Sequence, residues 1–184
     1  KSVAIEGELI ALASFISDRY GCTMNQSIRA VIPAKKKIAS KKVRVEQTPI
    51  EAITQKEVKL NDEQLSIIDD INNNYDRPVL IHGVTGSGKT EIYMELIDEA
   101  ISAGKQTILL IPEISLTFQN LQRFHSRFGD RVGVVNSRLS AGEKYDIFEK
   151  ARRGEIDVII GPRSAIFTPF EKIVSGNSIR SRDS

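Results

Sequence analysis

The sequence predicts an α/β fold, a parallel sheet covered by helices and preceded by a small helical segment. Three observations predict it. The stretch Gly83 to Thr90 reads GVTGSGKT and completes the phosphate-loop pattern G-x-x-x-x-G-K-[ST]. An apolar run of strand length, Pro78 to His82, precedes that loop, and a periodic stretch from Glu91 to Ala103 follows it, so the loop joins a buried strand to a helix N-terminus. Beyond it, short apolar runs alternate with helical patterns, the order that produces parallel strands.

From the N-terminus, Leu9, Leu12, Ala13, Ile16 and Tyr20 recur at spacings of three and four. This predicts a helix over Glu6 to Tyr20 with one apolar face, closed by Gly21. Thr23 followed by Gln26 has the form of a capping box for a short helix carrying Met24, Ile28 and Val31, ended by Pro33. Between Asp18 and Glu46 there is no acidic residue, while Arg19, Arg29, Lys35, Lys36, Lys37, Lys41, Lys42 and Arg44 are all basic. Two short helices and a basic run suit a small winged-helix-like DNA-binding unit. A solvated, lysine-rich linker fits the same residues. The boundary to the next domain is expected between Ala34 and Leu60. A second capping box, Asn61 with Gln64, starts a helix through Leu65, Ile67, Ile68 and Ile71 that Asn72-Asn73-Asn74 breaks.

The loop itself is the candidate nucleotide site. Gly83, Gly86 and Gly88 allow the chain to wrap a phosphate and aim backbone N–H groups inward. Thr85 and Ser87 complete the cradle, Lys89 brings a mobile positive charge to the terminal phosphates, and the Thr90 hydroxyl is placed to ligate Mg²⁺.

After Gly104, the run Gln106 to Ile111 reads as a strand ending at Pro112, Ser115 to Phe128 as a helix, and Arg131 to Val135 as a third strand. Ser140 and Glu143 form a third capping box, for a helix to Arg153 with Tyr145, Phe148 and Ala151 inward; Ile156 to Ile160 is the fourth strand. Ligands of such sheets gather beyond the carboxyl ends of the strands. Besides the loop, PEISLT (Pro112 to Thr117) and GPRSAIF (Gly161 to Phe167) fall there. Ser115 and Thr117 are either helix caps or phosphate ligands, and Arg163 either pairs with a surface carboxylate or joins Ser164 in gripping a nucleic-acid backbone.

Composition sets outer limits. The chain of 184 residues, 40% apolar and 27% charged, has room for one ordinary domain and a smaller appendage. No apolar run approaches the ~20 residues of a membrane helix, and no signal peptide opens the chain. Its one cysteine, Cys22, excludes an intrachain disulfide and a multi-cysteine zinc site, which fits a reducing cytoplasm. Since it begins at Lys1 rather than methionine, the sequence is expected to be a piece of something longer.

Taken together, LNDEQ (Leu60 to Gln64), HGVTGSGKTEIY (His82 to Tyr93), GKQTILLIPEISLT (Gly104 to Thr117), RFGDRVGVVNSRLSAGEK (Arg127 to Lys144) and GPRSAIFTPF (Gly161 to Phe170) resemble, in order and spacing, the primosomal protein N' (PriA) family of replication-restart helicases in superfamily 2. Glu8 to Pro33 resembles that family's helical stretch next to its winged-helix domain. The resemblance implies an incomplete first RecA-like lobe over 60–170, behind a helical, winged-helix-like segment over 1–59. It implies ATP-driven 3'-to-5' unwinding of forked DNA, with single-stranded DNA, primosome proteins and single-strand-binding protein as partners and ATP and Mg²⁺ as cofactors. By position, Lys89 and Thr90 bind the ATP phosphates and Mg²⁺, Gln64 is an adenine-side contact, and Ser115, Thr117, Arg163 and Ser164 lie along the single strand. Asn136 stands where the family usually has histidine, and Pro162 where it often has threonine.

The end departs from the family's pattern. Superfamily 2 helicases follow GPRSAIF with an apolar strand and an Asp-Glu-x-His motif that holds Mg²⁺ and orients the attacking water. Residues 171–184 read EKIVSGNSIRSRDS instead, and the only Asp-Glu pair after the loop is Asp98-Glu99, within the helix that follows it. Nothing supplies a second lobe or the family's zinc element. The chain is therefore expected to be truncated, its tail 171–184 disordered, and its capacity limited to binding ATP and DNA. Two further functions fit the loop: a non-catalytic DNA- or nucleotide-binding module, and a small phosphotransferase. The second leaves PEISLT and GPRSAIF without a role.

Overall fold

The computed structural model describes residues 3–31, 59–74, 77–84, 86–112, 115–173 and 179–182. The chain forms two compact units, one from Lys1–Val43 and Ile108–Glu171, the other from Arg44–Thr107 and Lys172–Ser184. The basic stretch Lys35 to Arg44, on which the winged-helix-like expectation rests, lies outside the described residues, as does most of the expected boundary between Ala34 and Leu60.

In the first unit, helix α1 (Val3–Tyr20) packs on α2 (Met24–Val31). Both signals read from the sequence hold at the junction: Gly21 turns the chain at φ +63°, and Thr23 and Gln26 bond reciprocally. The seam is narrower than the periodicity suggests. Ala13, Ser27 and Val31 are buried, whereas Leu12 and Tyr20 are exposed, since the 18-residue α1 is much longer than the 8-residue α2 that packs on it. Cys22 is half-buried, its Sγ 3.1 Å from the Ser27 Oγ.

The same unit holds a three-stranded sheet in the order β2 (Thr107–Leu110), β4 (Val158–Gly161), β3 (Val132–Val134). β3 and β4 are parallel, with Val134 opposite Ile160. The N–H of Ile111, just past β2, donates to the carbonyl of Gly161 at the end of β4, so β2 runs in the same direction. β4 is central and buried throughout, as its run of Val158, Ile159 and Ile160 demands. Helix α6 (Ala141–Arg152) lays Phe148 and Ala151 on this sheet, in a cluster with Val135, Ile156, Ile159 and Ala165; Tyr145, expected inward beside them, is only half-buried. Its capping box is formed, and hydrogen bonding by Ser140, side chain first and backbone N–H second, holds the Glu143 carboxyl below its usual range. Helix α5 (Phe118–Phe128) buries Phe124 and Phe128 and ends at Gly129, φ +59°. It starts three residues later than expected: the Ser115 N–H donates to the Pro112 carbonyl, and Thr117 is the N-cap.

The second unit pairs α3 (Asp62–Asn73) with α4 (Lys89–Ser102) over β1 (Val79–His82). The Asn61–Gln64 capping box is formed, and Asn74 ends α3. Ile68, Ile71, Ile81 and Ile92 make the core, with Val79 and Leu96 against it. β1 is buried on one face: Ile81 is inside, while Leu80 is 60% exposed, so the buried strand expected here is covered on one side. β1 runs parallel to β5 (Ile179–Arg182), with Val79 opposite Ile179 and His82 opposite Arg182. Part of the tail expected to be disordered is thus a strand, its backbone groups paired along β1 despite the low apolar content that argued against order. Nearby, Gln106 is bridged to Ile173 in parallel and is buried, its side-chain oxygen accepting from the Lys172 N–H. The parallel strands expected from the alternation of strands and helices are registered in two groups.

Candidate functional site

The phosphate loop lies in the second unit, where β1 delivers the chain to Gly83 and α4 takes it up at Lys89. Gly86 and Gly88 adopt φ +84° and +83°, the left-handed region that glycine enters without cost. Gly88 is the N-cap of α4, so the loop closes onto a helix end whose first N–H groups favour an anion. At two of the glycines an added side chain would meet a neighbouring one. A Cβ on Gly83 would lie 2.8 Å from the Ser87 Oγ, and one on Gly88 would lie 2.3 Å from the Gln64 Nε2.

The Lys89 ammonium donates to the carbonyls of Gly83 (2.7 Å) and Val84 (2.9 Å), and the Ser87 N–H donates to Val84 (3.2 Å). Lys89 therefore reaches across the mouth of its own loop, where a terminal phosphate would accept from it. Gln64 ties the loop to α3: its side-chain oxygen accepts from the Asn61 N–H and its amide donates to the Gly88 carbonyl at 3.4 Å. Thr90 is half-buried in the first turn of α4, and Thr85 lies outside the described residues. Among the described residues no group of three or more His, Cys, Asp or Glu side chains is gathered to hold a metal. The Asp98-Glu99 pair sits on α4, where the Glu99 carboxylate accepts from the Asn72 Nδ2 at 2.9 Å and so serves helix packing.

The other predicted residues lie in the first unit, at the carboxyl ends of its strands. β4 runs directly into a 3-10 turn, Arg163–Phe167, fastened by the Ala165 N–H on the Pro162 carbonyl and by the fully buried Ala165. This leaves Arg163 exposed and Ser164 half-buried. β2 leads through Pro112 to Ser115 and Thr117. Thr117 is the N-cap of α5, its hydroxyl accepting from the Asn120 N–H at 3.3 Å, and the Asn120 side chain donates to the Ser115 carbonyl at 3.1 Å. The capping reading of Thr117 is thus realised, on an exposed residue. Thr117→Ala is expected to lower stability by about 1 kcal/mol in a urea titration, and Thr117→Ser to restore it. β3 leads to Asn136, whose Oδ1 accepts from the Arg138 N–H at 2.9 Å. Asn136 therefore makes a local side-chain bond to the backbone two residues on.

A model of the family described as DEAD/DEAH box helicase matches residues 61–180. The chain belongs to the DEAD/DEAH box helicase family. Among curated proteins it is similar to "Replication restart protein PriA" of Bacillus subtilis (strain 168), 49% identical over 118 residues that cover 62% of this chain and 15% of that protein. The protein of the same name from Chlamydia trachomatis is 46% identical over 118 residues, 62% of this chain and 16% of its own length. The one from Rickettsia felis is 33% identical over 171 residues, 93% of this chain and 26% of its own. The chain thus spans roughly a sixth to a quarter of the length of these relatives.

Helicases of the DEAD/DEAH box family use a nucleotide with Mg²⁺, and the loop fits that group. Its two left-handed glycines, the space kept clear at Gly83 and Gly88, and the position of Lys89 make a cradle that side chains would otherwise fill. The signal that the sequence did not offer is the bond from Gln64 to Gly88, which spans 24 positions.

Proposed function

We propose that this chain is the nucleotide- and DNA-binding portion of an ATP-dependent 3'-to-5' DNA helicase of replication restart. Residues 60–170 serve as its first RecA-like lobe, behind a helical segment and basic linker over 1–59. The observation that carries this reading is the loop: left-handed Gly86 and Gly88 opening onto α4, with Lys89 across the mouth and Gln64 bonded to Gly88, within a chain of the DEAD/DEAH box helicase family.

In this reading the backbone of residues 83–88 wraps the phosphates, Lys89 neutralises the terminal ones, Thr90 ligates Mg²⁺ and Gln64 meets the adenine side. Bound Mg·ATP supplies the energy-bearing phosphoryl group. Ser115, Thr117, Arg163 and Ser164 accept a single strand of DNA along its phosphates. A polypeptide of this sequence holds both ligands but does not turn ATP over by itself, since it carries no Asp-Glu pair after Asp98-Glu99. Single-stranded or forked DNA, primosome proteins and single-strand-binding protein are its partners, in the cytoplasm.

Titration of a fluorescent oligo-dT with the purified chain at several salt concentrations tests the DNA half of this reading. Affinity should fall linearly on a log–log plot, by a slope of about 0.7 for each phosphate contact. An affinity that does not change with salt, or no binding at low salt, would rule out a phosphate grip.

A further inference from the structure

We infer that helix α2 is a brace for the GPRSAIF turn, and that Val31, at its buried end, positions Arg163 and Ser164 for their grip on DNA. The inference rests on the DNA-binding reading above and names the part of the chain that sets the geometry of that site.

The turn needs support from outside itself. It is one short 3-10 stretch, Arg163–Phe167, a form whose hydrogen bonds are poorer than those of an α-helix. Its bonds do make it a single piece. The Ala165 N–H donates to the Pro162 carbonyl at 2.8 Å, and the Thr168 N–H and hydroxyl both donate to the Ala165 carbonyl, at 3.1 and 2.7 Å. These contacts fix the shape of the turn but not its place. β4 holds it from one side, since the strand runs straight into it after Gly161.

Helix α2 holds it from another. It belongs to the same compact unit and packs on both α1 and the turn. Its buried residues, Ser27 and Val31, stand one helical turn apart on one face, while Asn25, Gln26, Arg29 and Ala30 are exposed. Ser27 is occupied at the junction with α1, its hydroxyl donating to the Thr23 carbonyl at 3.3 Å and lying 3.1 Å from the Cys22 Sγ. That leaves Val31, 1% exposed, as the buried apolar residue that α2 offers to the turn, whose Ala165 is itself fully buried. α1 closes less tightly: its Leu9 and Leu12 face residues Ile166 to Glu171 across a groove of about 460 Å³.

The hairpin is stiff enough to transmit this hold. The Ser17 hydroxyl donates to the Cys22 carbonyl at 2.6 Å, Gly21 turns the chain at φ +63°, and Thr23 and Gln26 bond reciprocally. A turn already held in place does not have to be ordered when a strand binds, and such ordering costs a factor of roughly two to ten in affinity for each side chain immobilised.

The test compares three variants of the full chain: Val31→Ala, the milder Ile28→Ala at a half-buried position of α2, and Phe124→Leu, a core change in α5 that controls for general destabilisation. Hydrogen exchange at the Ala165 and Thr168 amides, read by NMR, should quicken in both α2 variants and not in the control. Affinity for oligo-dT should fall roughly three- to tenfold in Val31→Ala. The salt slope should stay the same, because the number of phosphate contacts does not change. In an Arg163→Ala background, Val31→Ala should cost little further affinity, since the side chain it positions is gone. Exchange that is unchanged in both α2 variants, or equally faster in Phe124→Leu, refutes the brace and leaves the DNA-binding reading standing. Faster exchange without loss of affinity, or losses that add fully in the double variant, refute a role in the grip. If the wild type shows no salt-dependent binding, the DNA-binding reading fails, and the positioning role with it.

Discussion

Replacing Gly161 by alanine should destabilise the chain by about 1–3 kcal/mol, the cost of overpacking a filled interior. Backbone angles are not the reason. The added Cβ would lie 2.5 Å from the Val135 carbonyl oxygen, 3.0 Å from the Ala165 Cβ and 3.2 Å from the Val135 Cβ. Val135 and Ala165 are buried, so neither can retreat into solvent. The first contact is with backbone, so relief requires β3 to shift away from β4 and lose the bond from the Val135 N–H to Ile160. Urea denaturation gives the stability change. In the double variant with Ala165→Gly, only a small part should return, because the contact with the Val135 oxygen remains. Full recovery would place the strain at Ala165 instead. On the DNA-binding proposal, the folded fraction of Gly161→Ala should also lose affinity for oligo-dT, because the exits of all three strands are set by this one residue.

Gly88→Ala should reduce affinity for Mg·ATP by at least tenfold while leaving the fold in place. Here the decisive term is conformational. At φ +83° an L-residue is strained by roughly 1–2 kcal/mol, and relaxing that strain rotates the loop N–H groups away from the phosphates. The contact with the Gln64 Nε2 at 2.3 Å involves the end of a flexible side chain, which can swing aside. The two terms separate experimentally. Adding Gln64→Ala to Gly88→Ala should not restore nucleotide affinity, and recovery in that double variant would mean that the collision, not the φ angle, was responsible.

What was legible in the sequence was local. The three capping boxes, at Thr23–Gln26, Asn61–Gln64 and Ser140–Glu143, are set by residues three apart and need no tertiary information. The phosphate loop is equally local, since its glycines fix the backbone and its neighbours supply the strand and helix. The start of α5 was less legible: the Ser115 N–H donates to the Pro112 carbonyl, the Asn120 side chain reaches back to the Ser115 carbonyl, and the cap falls on Thr117 rather than Ser115.

Pairing between distant segments was not legible. The partner of β1 is a strand in a tail of mixed polar and basic residues, whose pairing is made by backbone atoms that carry no side-chain signal. The exposure of Leu80 follows from the same limit: an apolar run predicts a strand but not how many of its faces are covered.

The most direct measurement is calorimetric titration of the intact chain with Mg·ATP, in wild type and Lys89→Ala, followed by assay of released phosphate with and without single-stranded DNA. Saturable one-to-one binding that Lys89→Ala abolishes, with no phosphate released above background, is the expected result. Binding indifferent to Lys89→Ala, or DNA-stimulated phosphate release at the rate of an intact helicase, would contradict the account of a lobe that holds ATP without spending it.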